Sequence, residues 1–178
     1  IPLITTNRIN TPELAEKILS DGHADMISMA RPFLADPYFV QKAQEDKADE
    51  INTCIACNQA CLDHVFKRKI ASCMVNPRAC HETELVYDPT SLAKNIAVVG
   101  AGPAGLAYSC VSAERGHKVT LFDASDQIGG QFNIAKQIPG KEEFYETLRY
   151  FSKRLQNANV QLKLNTRVSA EDLKEFDH

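Results

Sequence analysis

Cys54, Cys57, Cys61 and Cys73 fall within twenty residues, as C-I-A-C-N-Q-A-C, eleven further residues, and then S-C-M-V-N-P. Thiolates clustered this tightly commonly hold a metal centre. The C-x2-C-x3-C-x11-C spacing supplies three corners from one compact loop and a fourth from a more distant residue, as an iron–sulfur cluster requires. Zinc also takes four thiolates, but usually from two C-x2-C knuckles, and here the second knuckle is a lone Cys73. A [4Fe–4S] cluster is therefore favoured, with zinc and unligated thiols as the alternatives. Cys110, in A-Y-S-C-V-S-A, reads as a buried packing thiol. Cys80 beside His81 reads as structural or surface, and His64 as a polar loop residue.

Downstream, Gly100-Ala101-Gly102-Pro103-Ala104-Gly105 follows an apolar run and opens a helical pattern. The first glycine makes a tight turn, the second lets the backbone approach a pyrophosphate, and the third lets helix and strand pack closely. Asp123 stands 18 residues beyond Gly105, where a carboxylate accepts from ribose hydroxyls. The motif alone does not separate FAD from NAD; Pro103 and I-G-G-Q-F at 128–132 favour FAD.

The elements that must position these groups fall into three segments. Residues 1–50 read as strand, helix, strand, helix: Ile1–Thr5 and Ala24–Met29 as buried strands, Thr11 and Pro12 opening one helix, and Asp36-Pro37 repeating that device. Strands alternating with helices imply a parallel sheet, and two such units need partners to bury both faces. Asn7-Arg8 and Ala30-Arg31 fall just after the two strands. Each arginine suits either a phosphate contact or a surface position near a strand end. Residues 51–93 have weak periodicity and read as a cofactor-wrapping loop and connector, ordered more by metal than by a core. Residues 94–178 read as β-α-β, then a helix over 141–156, a strand through Val160, Leu162 and Leu164, and a last short helix after Ser169-x-x-Asp172.

The 178 residues carry 44% hydrophobic and 24% charged residues and a net charge of −3, ordinary for a soluble globular protein. Nothing points to nucleic acid or to a membrane. Six cysteines beside a nucleotide motif suggest a reducing cytoplasm and metal binding rather than a disulfide scaffold. The chain begins at Ile1 within a strand-like run and ends where another strand is expected, so it reads as an internal piece of a longer polypeptide.

The runs T-T-N-R-I-N, M-A-R-P-F-L-A-D-P, C-I-A-C-N-Q-A-C-L-D, S-C-M-V-N-P-R-A-C, V-V-G-A-G-P-A-G-L-A and I-G-G-Q-F-N-I-A-K-Q-I-P-G-K cover essentially the whole chain. In them the chain resembles the NADPH-dependent 2,4-dienoyl-CoA reductases of the old-yellow-enzyme-related flavin and iron–sulfur family. The resemblance implies an α/β fold: the C-terminal end of an FMN-binding (β/α)8 barrel over 1–50, a cluster loop over 51–93, and the first part of a Rossmann-like FAD-binding domain over 94–178. It implies FMN contacts at Arg8, Ala30 and Arg31, [4Fe–4S] ligation by Cys54, Cys57, Cys61 and Cys73, and FAD contacts at Gly100, Gly102, Ala104, Gly105, Asp123 and Gln131. Electrons would pass from NADPH to FAD, cluster, FMN and a dienoyl-CoA of unsaturated fatty acid β-oxidation. The acyl-CoA pocket, proton donor and NADPH site would lie outside these residues, so no catalytic residue is assigned and the piece alone is expected to be inactive. Sibling enzymes, enoate reductases or trimethylamine dehydrogenase, share the architecture. A non-catalytic metal-binding electron-transfer module is the reading from another class.

Overall fold

The computed structural model describes all residues from Ile1 to His178, in two compact units, Ile1–Leu85 and Val86–His178. Residues 51–85 pack within the first unit and 86–93 within the second.

In the first unit, β1 (Ile4–Thr6) is followed by α1 (Pro12–Ser20) and β2 (Met26–Ser28). The two strands pair in parallel, Ile4 opposite Met26 and Thr6 opposite Ser28. Thr11 caps α1 by accepting the Leu14 N–H at 3.3 Å, and Pro12 occupies the first turn, where no amide hydrogen is needed. Gly22, at φ 71°, lets the chain turn out of the helix. The expected burial of both strands does not hold: Ile4 is 63% and Met26 57% exposed. Two short strands with one helix leave apolar side chains facing outward.

The chain then forms α2 (Arg31–Ala35), α3 (Phe39–Gln44), a 3₁₀ turn at Ala48–Glu50 and α4 (Leu62–Phe66). Helix α2 is an addition to the sequence expectation; five residues are too few to show a period. Asp36 does not sit at the α3 cap position, which Tyr38 holds, but its carboxylate accepts the Tyr38 N–H at 3.0 Å and so still shapes the entry.

In the second unit, β3 (Asn95–Val99), α5 (Pro103–Glu114) and β4 (Lys118–Phe122) are followed by α6 (Phe132–Ala135), α7 (Phe144–Asn157) and β5 (Gln161–Lys163). The parallel sheet has the order β3-β4-β5, with Asn95 opposite Lys118, Val99 opposite Phe122 and Thr120 opposite Gln161. Buried Val98, Leu106, Cys110, Leu121, Phe151 and Leu155 join the sheet to α5 and α7 in one core. Helix α7 reaches it through apolar residues spaced three or four apart. On the far side of β3, the Ala97 N–H donates to the His178 carbonyl at 2.8 Å and the Asp177 N–H to the Asn95 carbonyl at 2.9 Å. The last short helix is absent. Asp172 accepts from the Ser169 N–H and hydroxyl, both at 2.8 Å, but i→i+3 turns follow, such as Lys174 N–H to the Glu171 carbonyl.

Candidate functional site

The functional groups of the first unit sit on loops, apart from Arg31 at the start of α2, so side-chain hydrogen bonds do much of the positioning. Cys54, Cys57, Cys61 and Cys73 are unpaired, half-buried thiols lining one small cavity, shared with Arg31, Leu34 and Asn58. The loop folds back through left-handed Ala56 (φ 52°) and Asn58 (φ 61°), which aims successive cysteines at a common space. It is fastened from outside by the Asn10 amide, which donates to the Cys54 carbonyl at 3.1 Å.

Asp36, nearly fully buried, is the hub of the supporting lattice. Its carboxylate accepts from Lys42 Nζ at 2.6 Å and from the Asn52 N–H at 2.8 Å. The Asn52 amide donates in turn to the Val75 carbonyl at 2.8 Å, and the Asn76 amide to the Leu34 carbonyl at 2.9 Å. These bonds hold the turn whose Asn76 N–H donates to the Cys73 carbonyl at 3.2 Å.

Burial pushes the Cys54 and Cys73 thiols up, against the pull of backbone donors: Ala56 at Cys54, where the Arg31 charge also acts, and Val75 and Asn76 at Cys73. Cations bound in the cavity would displace those protons, and the same N–H groups would then stabilise thiolate charge. Four thiols lining one cavity, with backbone N–H groups beside Cys54 and Cys73, suit an iron–sulfur group and also the four-thiolate coordination of zinc.

Arg8 and Arg31 stand at the ends of β1 and β2. Asn7 (φ 78°) and exposed Arg8 (φ 58°) form a left-handed pair directly after β1. Ala30 precedes α2 and Arg31 begins it. The Arg31 guanidinium donates to Asn58 Oδ1 at 2.7 Å and to Asn7 Oδ1 at 3.2 Å. Asn58 and the Asp36–Asn52–Asn76 lattice escaped the sequence reading; the signals were an asparagine in the cysteine loop and the Asp-Pro and Asn-Pro pairs.

The second unit brings the glycine loop together. Gly100 turns at φ 105°, and an ideal Cβ on Gly105 would meet the Gly100 carbonyl oxygen at 1.9 Å, so no side chain fits there. Ala101 is held at both ends. Its N–H donates to Asp123 Oδ2 at 2.6 Å, and its carbonyl accepts from the Gly129 N–H at 2.7 Å. Gly130 lies against Gly102, and Gln131 precedes α6. Burial raises the Asp123 carboxyl, but the Ser125 and Ala101 N–H donors outweigh it and hold the group below its ordinary value, hence charged. Gly102 caps α5, whose positive dipole end and exposed Ala104 open beside this loop.

The remaining candidates lie apart. Cys110 is fully buried in the second unit, its thiol pushed up to about 11 by burial. Cys80 is exposed, and His64 Nδ1 lies 3.0 Å from the Ile70 carbonyl oxygen. No helix is long and apolar enough to cross a membrane.

Residues 1–50 match the NADH:flavin oxidoreductase / NADH oxidase family, and residues 98–161 match the NAD(P)-binding Rossmann-like domain. In these two segments the chain is similar to old-yellow-enzyme-related FMN/NADH oxidoreductases. Among its relatives, a metal reductase of Desulforamulus reducens is 46% identical over 97% of the chain and 26% of the relative. A cinnamate reductase of Clostridium sporogenes is 34% identical over 99% of the chain and 26% of that protein. The solved 2-naphthoyl-CoA reductase in complex with 2-naphthoyl-CoA superposes with a TM-score of 0.94 at 39% identity, over 97% of this chain and 26% of that one. The chain thus spans about a quarter of the length of the relatives it matches.

Proposed function

We propose that this chain is the electron-relay section of a flavin and iron–sulfur oxidoreductase that reduces 2,4-dienoyl-CoA with NADPH. The observation that carries the reading is the single cavity ringed by four thiols, in the unit whose first 50 residues match the flavin oxidoreductases. Cys54, Cys57, Cys61 and Cys73 would hold the cluster, Arg8, Ala30 and Arg31 would contact FMN, and Gly100, Gly102, Ala104, Gly105, Asp123 and Gln131 would contact FAD. Bound there, the groups would supply hydride transfer at the flavins and one-electron transfer at the cluster. The chain's own work is positioning. The Ala101 clamp fixes the glycine loop, Asp123 presents a charged acceptor to ribose hydroxyls, and the N–H groups at Cys54 and Cys73 stabilise sulfur charge.

The substrate class is supported by the likeness to enzymes named for 2-naphthoyl-CoA and cinnamate. In both compounds a carbonyl is conjugated to unsaturation, as in a 2,4-dienoyl-CoA. The 46% identity to a metal reductase favours a second reading, in which electrons leave to an external metal ion. Anaerobic assays of the full-length protein separate the two. Consumption of NADPH coupled to loss of the dienoyl-CoA chromophore supports the first; reduction of a ferric chelate with dienoyl-CoA untouched supports the second.

A further inference from the structure

Arg31 is shared by two parts of the first unit that sequence spacing treats as separate. It begins α2, three residues after the end of β2, and it lines the cysteine cavity together with Leu34 and Cys54. One terminal nitrogen donates to Asn58 Oδ1 at 2.7 Å, on the loop between Cys57 and Cys61. The other donates to Asn7 Oδ1 at 3.2 Å, beside Arg8 at the end of β1. Both asparagines hold left-handed backbone, φ 78° for Asn7 and 61° for Asn58, so each presents its amide from a fixed turn. A planar guanidinium with two such anchors has little freedom to swing away from the cavity.

We propose that Arg31 is a positioning residue for the cluster: clamped between Asn7 and Asn58, it keeps one permanent positive charge against the cysteine cavity and raises the reduction potential of the group held there. The proposal rests on the iron–sulfur reading above. Reduction adds one electron to a site already ringed by thiolate charge. A fixed cation in a half-buried setting stabilises that added charge more than solvent does. An arginine suits the task because it stays protonated and its fork matches two acceptors at once. The same residue ties the β1 end to the cysteine loop, so charge and loop geometry are set by one side chain.

The test uses full-length protein reconstituted anaerobically with ferrous iron and sulfide. Iron and acid-labile sulfide are measured first, and the potential is then read by dye-mediated titration followed by electron paramagnetic resonance. Arg31→Gln is expected to hold a full complement of iron with its reduction equilibrium shifted about tenfold toward the oxidised state, a fall of ~59 mV for one electron. Arg31→Lys, which keeps the charge, is expected to recover most of that shift. An unchanged potential in R31Q overturns the proposal. So does a shift in R31K as large as in R31Q, which would assign the effect to loop shape, and so does loss of iron from R31Q, which would make Arg31 a structural support. Absence of iron and sulfide from the parent protein contradicts the cluster reading itself and is distinct from all three.

Discussion

Gly105 has no room for a single added carbon, because the Gly100 carbonyl oxygen stands 1.9 Å from where a Cβ would go. Gly105→Ala must push α5 off the end of β3, and overpacking of this kind costs about 1–3 kcal/mol. The variant is expected to melt earlier and to lose adenine-dinucleotide binding, both readable by denaturation and by flavin content; parent-like values in both contradict the close-packing account. Cys110 makes a pH prediction in the same core. Its folded thiol is raised from 9.0 to about 11, so its stabilising contribution is complete below pH 9 and is lost as pH rises through 11. The loss is on the order of 2–3 kcal/mol. Taking the stability difference between parent and Cys110→Ala cancels other groups that titrate in this range; that difference is expected to shrink between pH 9 and 11, and a constant difference contradicts the assignment.

Between Ile51 and Leu85, where α4 is the one helix, the fold depends mainly on side chains bonding to backbone. Asp36 joins Lys42, the Asn52 N–H and, through the Asn52 amide, the turn that follows Cys73, which the Asn76 amide ties separately to the Leu34 carbonyl. Asp36→Ala leaves the Asn52 N–H and the Lys42 ammonium without that acceptor and is expected to cost about 3 kcal/mol. Because the lattice carries the turn donating to Cys73, the variant is also expected to retain less iron after gel filtration; full retention would show that the loop holds its shape without Asp36. This lattice explains what the sequence could convey. Strands β3 and β4 are legible to the residue, because apolar runs abut a glycine fingerprint and Gly116. Helix α1 is equally plain from Thr11, Pro12 and its apolar spacing. The lattice is not legible, because Asp36, Asn52 and Asn76 are far apart in sequence and ordinary in type. The burial expected of β1 and β2 came from their composition, which shows what a strand tends to cover but not whether a covering layer is present. At Ser169 and Asp172 the capping pair forms, but the residues after it bury no continuous apolar face and remain turns.

At the scale of the whole molecule, the chain places candidate FMN contacts before the cysteines and candidate dinucleotide contacts after them. The first unit holds the cysteine cavity together with Arg8 and Arg31, and the second holds the pinned glycine loop. On the proposed reading, that order fits the four cysteines to the role of a relay instead of a structural staple. A relay must accept and release single electrons, which zinc cannot do. The central claim is therefore tested most directly by metal and sulfide analysis of the anaerobically isolated full-length protein, with spectra recorded before and after reduction. The account predicts about four irons and four acid-labile sulfides per chain and a paramagnetic signal that develops on reduction, with Cys57→Ala losing both iron and signal. Stoichiometric zinc with neither iron nor sulfide would contradict it.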